Sequence, residues 1–232
     1  MKNLLQIFTL SACVLGTAIA ADAPAANQPT ADEASKGLQA ALGSLVDQSL
    51  ATASDSKTAD AQLTVGLPGK LDKLETTLRA AGQGQLVDDF KAKLKSVAVQ
   101  SVPLTKDAFK SATSDVKIDD PLTVLKTAPD GLTSYTKTHT RPTFISKVQP
   151  LVASKSKEAG VAASYQAMVA KAGPFASAVF GKQPPAEVDQ YVTEQTVDFV
   201  YGQMGKGEGA LRANPSLSNN ALVKKVFSAV QK

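Results

Sequence analysis

The chain has 232 residues, of which 43% are hydrophobic and only 5% are aromatic, with no tryptophan. This length is enough for one sizeable hydrophobic core, and the low aromatic content means that the core must be mostly aliphatic. The formal net charge is +4, and the basic residues are scattered among acidic ones instead of forming a stripe. This pattern excludes the concentrated basic surface that is typical of a nucleic-acid-binding protein.

The first twenty residues have the features of an export signal. Lys2 provides a positive start, and the apolar run that follows it to Ile19 is too short to span a bilayer with its flanks. Ala18 and Ala20 occupy the two small-residue positions that signal peptidase recognises. We therefore predict a signal peptide over residues 1–20 and a soluble periplasmic mature protein.

A lipoprotein signal overlaps this pattern and is the alternative. The sequence Leu-Ser-Ala precedes Cys13, which would be diacylated and would anchor the chain to a membrane. Soluble export is favoured because the apolar run continues past Cys13, where a lipoprotein usually turns polar. Cys13 is the sole cysteine, so a chain cleaved after Ala20 contains no thiol, disulfide or cysteine-ligated metal.

The mature chain is predicted to be a flexible tether, residues 21–30, followed by one helical domain, residues 31–232. The tether is rich in Ala, Pro, Asn and Gln and has little to bury. Thr30 and Glu33 form a capping-box pattern, which predicts the start of the first helix. A one-sided apolar stripe follows, and the polar, Ala-rich residues 52–66 are predicted to be a loop.

The next segment predicts a helical hairpin. Pro68 marks the start of a helix at about its first position, and Gly82 and Gly84 mark its end. A second apolar stripe begins at Leu86, so the two helices should lie antiparallel. Pro103 interrupts this second helix before another one begins.

Helix signals continue to the end of the chain. Asp120 and Pro121 predict an N-cap and first helical position, and Gly131 opens a Thr-rich helix that Pro150 should kink or divide. After a further helix, residues 174–185 are predicted to be a loop with two exposed aromatics, Phe175 and Phe180.

The last two predicted helices complete the fold class. A long helix should run from Val188 to about Met204, and Asn220 could cap a final one. No segment shows convincing strand alternation. We therefore expect an all-α domain of eight to ten mostly short, antiparallel helices without a substantial sheet.

Several separated motifs occur in an order that resembles a known family. They lie between Leu63 and Phe227 and include Leu67-Pro68, Gly82-Gln83-Gly84, Asp119 to Leu125, Tyr191-Val192-Thr193 and Arg212-Ala213-Asn214-Pro215. The family is an exported bacterial one catalogued as domain of unknown function 4197 (DUF4197). The resemblance implies an all-helical, exported, mainly Gram-negative protein without an assigned biochemical role. One departure is that residues 205–209 carry a single acid where relatives tend to have adjacent acids.

Three carboxylates are candidates for catalysis in this sequence. Glu194 and Asp198 lie one helical turn apart, and the pKa of Asp198 could be raised because it lies near the apolar stripe. Together with Glu208 they could act in a hydrolase of envelope material. The structural alternative, which is favoured, is a salt bridge to a cation of another helix such as Arg212 or Arg79.

Candidates for ligand binding are weaker. His139 is the sole histidine and lies beside Arg141, so a general base or an anion site can be imagined, but a lone histidine is more often a surface residue. Tyr135, Tyr165, Tyr191 and Tyr201 could line a pocket, although a tyrosine at helical spacing usually packs its ring into the core.

No metal site or cofactor is predicted. The acidic pairs Asp88-Asp89 and Asp119-Asp120 lack the spacing and central glycine of a calcium loop. The favoured hypothesis is a non-enzymatic periplasmic module that binds an envelope partner or an apolar ligand between its helices. The alternative is the carboxylate-dependent hydrolase. Membrane contact is expected only through the signal or a lipid on Cys13.

Overall fold

A computed structural model describes residues 28–127, 129–173 and 176–231, and these residues form helices without any strand. The all-α prediction is thus confirmed. The predicted signal peptide, Cys13 and most of the predicted tether lie outside the described residues. The α-helices are α1 (Ala31–Ser54), α2 (Ser56–Gln62), α3 (Asp72–Ala80), α4 (Gly84–Ser101), α5 (Lys106–Thr113), α6 (Pro121–Lys126), α7 (Gly131–Glu158), α8 (Val161–Lys171), α9 (Ala176–Phe180), α10 (Ala186–Ala213) and α11 (Ala221–Ser228).

The three longest helices, α1, α7 and α10, form the centre of the domain. Helices α7 and α10 are antiparallel: Thr133 at the start of α7 binds Glu208 late in α10, and Ser156 at the end of α7 binds Asp189 early in α10. Helix α1 packs against α10, α11 and α6.

The predicted helix starts are confirmed at the three caps that sequence identified. The Thr30 hydroxyl accepts the Glu33 N–H at 3.2 Å, and the Glu33 carboxylate accepts the Thr30 N–H at 3.1 Å. Asp120 and Asn220 accept backbone N–H groups at the starts of α6 and α11. These signals depend only on nearby residues, which is why the sequence was enough to find them.

The predicted hairpin is also confirmed. Arg79 near the end of α3 binds Asp88 near the start of α4, and Glu75 one turn earlier binds Lys91 one turn later, so the two helices run antiparallel. Gly82 ends α3 with a φ of +73°, a conformation that favours glycine.

The start of this hairpin differs slightly from the prediction. Pro68 precedes a short 3-10 turn, Gly69–Leu71, and α3 itself begins at Asp72.

Two segments that were predicted to be loops contain short helices. Helix α1 continues into residues 52–66, and Asp55 ends α1 while its carboxylate accepts the Thr58 N–H at the start of α2. One polar residue therefore both separates and caps two helices, and Ala59 of α2 is buried. In the second segment, α9 forms, and Phe180 is half-buried instead of exposed. Phe175 lies outside the described residues.

The two longest helices extend further than the sequence suggested. Helix α7 is a single helix that contains both Pro142 and Pro150, so Pro150 does not divide it. Helix α10 continues well past Met204 through three glycines because Glu208 and Leu211 of that stretch are buried against other helices. Tertiary burial here outweighs the helix-breaking tendency of glycine.

Buried apolar side chains from the described helices form one continuous core. Phe109, Phe144 and Tyr201 make an aromatic cluster within it, with the Phe109 ring centroid 4.7 Å from that of Phe144 and 5.2 Å from that of Tyr201. Among the described residues, each buried side-chain nitrogen or oxygen has a hydrogen-bond partner. None of the described helices has the length and apolar character needed to cross a membrane.

Candidate functional site

A surface groove separates the exposed faces of α7 and α10 and brings several of the candidate residues together. It has a volume of about 670 Å³ and is called here the α7–α10 groove. Pro142 and Ile145 are its apolar lining residues, and Asp198, which binds two of the lining cations, lies beside it. Its lining residues are Ser134, Lys137, Thr138, Arg141, Pro142, Ile145, Gln190 and Glu194.

Asp198 is held by two cations of α7. The Arg141 guanidinium donates to both carboxylate oxygens at 3.0 Å, and the Lys137 ammonium lies 3.0 Å from one of them. Partial burial acts to raise the pKa of Asp198, but the hydrogen bonds and charges of Arg141 and Lys137 outweigh burial and lower it. The pKa shift is thus opposite to the expected direction, and Asp198 is ionised at neutral pH.

Glu194 completes this charge cluster. Its Oε1 accepts a hydrogen bond from the Gln190 amide at 3.0 Å, and its Oε2 lies 3.9 Å from the Arg141 guanidinium. The hydrogen bond to Asp198, with the charges of both acids, raises the pKa of Arg141 further. Glu194 and Asp198 therefore flank a shared cation, which is unlike an acid and a base that face each other across a substrate cleft.

Glu208, the third acidic candidate, lies in the interior and away from the groove. Its side chain is fully buried and accepts the backbone N–H of Leu132 at 2.9 Å and that of Thr133 at 2.7 Å. The Thr133 hydroxyl donates a further hydrogen bond at 2.8 Å. The carboxylate thus caps the N-terminus of α7, where the helix dipole favours a negative charge.

Arg212 neutralises Glu208 and extends the connection to a third helix. Its guanidinium lies 2.8 Å from Glu208 Oε1 and donates to the carbonyls of Leu125 and Val124 at the end of α6. It also lies over the Phe227 ring of α11, 5.3 Å from the centroid. The pair therefore joins α6, α7, α10 and α11, and its role is structural.

The cations that sequence reasoning proposed for Glu194 and Asp198 bind other acids. Arg212 pairs with Glu208, and Arg79 pairs with Glu75 and Asp88. The expected type of contact, a salt bridge from another helix, is present, but Arg141 and Lys137 provide it.

Three of the candidate tyrosines bind different parts of the described chain, and the Tyr201 hydroxyl hydrogen-bonds to the Thr140 hydroxyl in the interior. The hydroxyls of Tyr135, Tyr165 and Tyr191 each bind a backbone group of a connecting loop or of the short helix α9, and burial raises the pKa of Tyr165. A tyrosine used in this way ties a loop to the core. The hydrogen bonds join Tyr135 to the Lys117 carbonyl at 2.8 Å, Tyr165 to the Phe180 carbonyl at 2.5 Å, and the Gly66 N–H to Tyr191 at 3.2 Å.

His139 is exposed on α7 and is not part of the groove lining. Its Nδ1 lies 2.8 Å from the Tyr135 carbonyl oxygen, and its ring lies 4.2 Å from the Tyr135 ring. These contacts anchor the imidazole on its own helix.

Sequence reasoning missed Lys137 and Gln190, although a signal for both was present. Lys137 and Arg141 are four residues apart on one helix, and Glu194 and Asp198 are four residues apart on another. Such spacing places two cations on one helix face and two acids on another, which favours pairing between the two helices. Gln190 lies one further turn before Glu194 on the same helix.

The described residues include no cluster of three or more His, Cys, Asp or Glu side chains that could hold a metal ion.

The comparisons with known proteins identify a family but no activity. A family model described as "Protein of unknown function (DUF4197)" matches residues 28–228. This range begins well before Leu63, where the residue resemblance starts, and so includes α1 and α2. No curated protein and no solved structure matches the chain. Because the family match covers most of its length, this protein belongs to the DUF4197 family.

Proposed function

We propose that this protein is an exported, non-enzymatic binding module of the Gram-negative cell envelope that docks a partner protein on the α7–α10 groove. The export part of the proposal rests on the signal pattern of residues 1–20, with cleavage after Ala20 and release into the periplasm. The alternative localisation is that of a lipoprotein, anchored to a membrane through a lipid on Cys13.

The observation that carries the proposal is the combination of apolar lining residues with charges that are already fixed in place. Pro142 and Ile145 are the apolar residues, while the Lys137, Arg141 and Asp198 side chains remain 42%, 30% and 37% exposed although they are paired. Protein interfaces combine an apolar centre with a polar rim, and arginine is enriched at their hot spots. Charges that are held in position reduce the entropy lost on binding.

The groove also indicates the chemistry of its partner. An aliphatic side chain would fit against Ile145, and a carboxylate next to it would face Lys137. An apolar ligand between the helices is the second form of the binding hypothesis. It has less support, because this groove is open and edged by charge.

The hydrolase alternative has less support still. It requires one carboxyl group that can be protonated near neutral pH, but Arg141 and Lys137 keep the pKa of Asp198 low. Glu208 is fully buried and its carboxylate is occupied by Thr133 and Arg212.

Site-specific photo-crosslinking in the producing bacterium tests the proposal. A photo-reactive amino acid is placed at Thr138, which lines the groove, and in a control variant at Thr143, which is exposed on the same helix outside the lining. We expect a discrete protein adduct from Thr138 and none from Thr143. Charge reversal by Lys137→Glu should weaken the Thr138 adduct.

Equal adducts at both positions, or no adduct at Thr138, would overturn the binding proposal. A separate incubation with purified envelope material tests the alternative. Fragments released by the wild-type protein but not by the Asp198→Asn variant would establish a hydrolase.

A further inference from the structure

A second groove lies where α1, α10 and α11 meet, and it shares no lining residue with the α7–α10 groove. Its volume is about 510 Å³, within the range of small-ligand sites. It is called here the α1–α10–α11 groove. Its lining residues are Ala41, Ser44, Leu45, Gln48, Gly207, Ala210, Leu211, Leu217, Ser218, Asn219, Asn220 and Val223.

None of the described residues that line this groove carries a formal charge. Charged residues make up 20% of the chain, and they line the α7–α10 groove, so their absence here distinguishes the two surfaces. A charged ligand would lose hydration on entering and would find no counter-charge in the lining, which is unfavourable. The groove therefore suits an uncharged ligand.

The polar atoms of the lining are those of amides and hydroxyls. Gln48 and Asn219 are exposed, and neither side chain hydrogen-bonds to another described residue. A primary amide offers both donors and an acceptor. These are the groups that complement the N–H and C=O of an extended peptide backbone.

One rim of the groove is held in place by hydrogen bonds. The Asn220 side-chain oxygen accepts the N–H groups of Leu222 and Val223 at 2.9 and 3.2 Å, and the Ser218 hydroxyl accepts the Asn220 N–H at 3.1 Å. The Asn220 amide nitrogen remains available to a ligand. A rim that is ordered before binding loses little entropy when it binds.

The rest of the lining suits an aliphatic side chain. Leu45 and Leu211 are buried beneath the groove, while Leu217 is 63% exposed at its edge. A Cβ on Gly207 would lie 3.2 Å from both Leu45 and Gln48, so glycine allows α1 to approach α10 here. None of the described lining residues has an aromatic ring on which a sugar could stack, so a peptide is favoured over a glycan.

We propose that the α1–α10–α11 groove binds an uncharged, extended segment of another protein, with an aliphatic side chain of that segment against Leu217. This inference uses a different surface from the α7–α10 groove and does not depend on docking there.

The test uses the mature chain and a library of short peptides that are acetylated, amidated and free of charged residues. A matched library carries a Lys or Asp at its centre. We expect the protein to retain members of the uncharged library that contain Leu, Ile or Val, and to retain the charged library poorly. Amide chemical-shift changes should map to Ser44, Gln48 and Asn219.

Two variants make the test specific. Leu217→Lys places a charge in the groove at an exposed position and should lower the affinity for the retained peptides about tenfold or more. Leu104→Lys is the control. It makes the same change at a leucine that is 46% exposed and is not a lining residue of this groove, so it should leave the peptide affinity unchanged.

Three outcomes would overturn the proposal. They are the absence of retained uncharged peptides, equal binding by the Leu217→Lys variant, and shift changes that map to the α7–α10 groove. Chitotriose serves as an uncharged sugar probe, and shifts in this groove caused by it and not by peptides would make the site a glycan site. The crosslinking experiment at Thr138 is unaffected by any of these results.

Discussion

The carboxylates of Glu208 and Asp198 are both paired with arginine, but their surroundings differ. Glu208 is fully buried and Arg212 beside it is about nine-tenths buried, whereas Asp198 and Arg141 lie at the surface, where water screens their interaction. When one member of a buried pair is lost, the other is left as a charge without compensation. The two pairs should therefore respond differently to substitution.

Replacing Glu208 by Gln is predicted to destabilise the protein strongly. The change leaves the Arg212 charge without its partner and weakens the cap of α7, and the expected loss is about 3 kcal/mol in the free energy of unfolding. Urea denaturation followed by circular dichroism measures it.

The control for this experiment is Glu194→Gln, a change in a partly exposed acid of the α7–α10 groove. It should alter stability by no more than about 0.5 kcal/mol. Similar losses in the two variants would contradict a special structural role for Glu208. Adding Arg212→Met to Glu208→Gln should recover part of the loss, because the unpaired charge is then removed.

Between elements, the approach of α6 to α7 depends on a glycine. A Cβ on Gly131, the first residue of α7, would lie 2.5 Å from the Val124 carbonyl oxygen and 2.9 Å from the Thr127 Cβ. The first of these atoms belongs to the backbone and cannot rotate away. Glycine at this position therefore lets the end of α6 meet the start of α7, where Arg212 and Glu208 bind both.

The substitution Gly131→Ala is predicted to destabilise the protein by about 1–3 kcal/mol, because it forces the two helices apart. Gly202→Ala is the matched control, since Gly202 is exposed within α10 and a Cβ there meets no atom of the described residues within 4 Å. The control should be stabilising by about 0.5–1 kcal/mol, because alanine is the better helix former. Thermal melts of both variants check the prediction, and a stable Gly131→Ala protein would refute the close approach.

At the scale of the whole molecule, ion pairs connect distant parts of the chain. Lys225 of α11 binds Glu33 of α1, and hydrogen bonds from Lys225 and the Thr30 backbone lower the pKa of Glu33. The pKa values of Glu75 and Asp198 are lowered as well. A carboxyl group whose pKa is lower in the folded state stabilises the fold above its unfolded pKa, and this contribution is lost as the pH falls through the folded value.

We therefore predict that stability is steady near neutral pH and falls below about pH 4, where these carboxylates become protonated. The urea midpoint, measured across the acid range, reports the fall. In the Asp198→Asn variant the fall should be shallower, because one of the contributing groups no longer titrates. Parallel curves for the variant and the wild type would contradict this contribution.

The helices could be predicted from sequence because their signals are local. Thr30 with Glu33, Asp120 with Pro121 and Gly82 each act on backbone groups within a few residues. Helix α2 was missed because its residues have a low apolar content, and α9 because it is only five residues long and lies in a segment bounded by prolines. The burial of both helices comes from contacts with the rest of the domain.

The candidate site could be predicted only in part. The sequence identified Arg141, Glu194 and Asp198 as candidate site residues. Lys137 could also have been identified, because it precedes Arg141 by four residues, the same spacing that separates the two acids on the other helix. The sequence could not show that Glu208 faces the interior, because the start of α7 that it caps lies 75 residues away along the chain.

The sequence alone therefore determined the helical class, the capped helix starts and the family, because periodicity, capping and ordered motifs are properties of short stretches of chain. Only the tertiary structure decided the partner of each charge and the character of each groove. Arg141 meets Asp198 across 57 residues, and the α1–α10–α11 groove is assembled from three separate helices. Such juxtapositions follow from how the long helices pack, which no local pattern encodes.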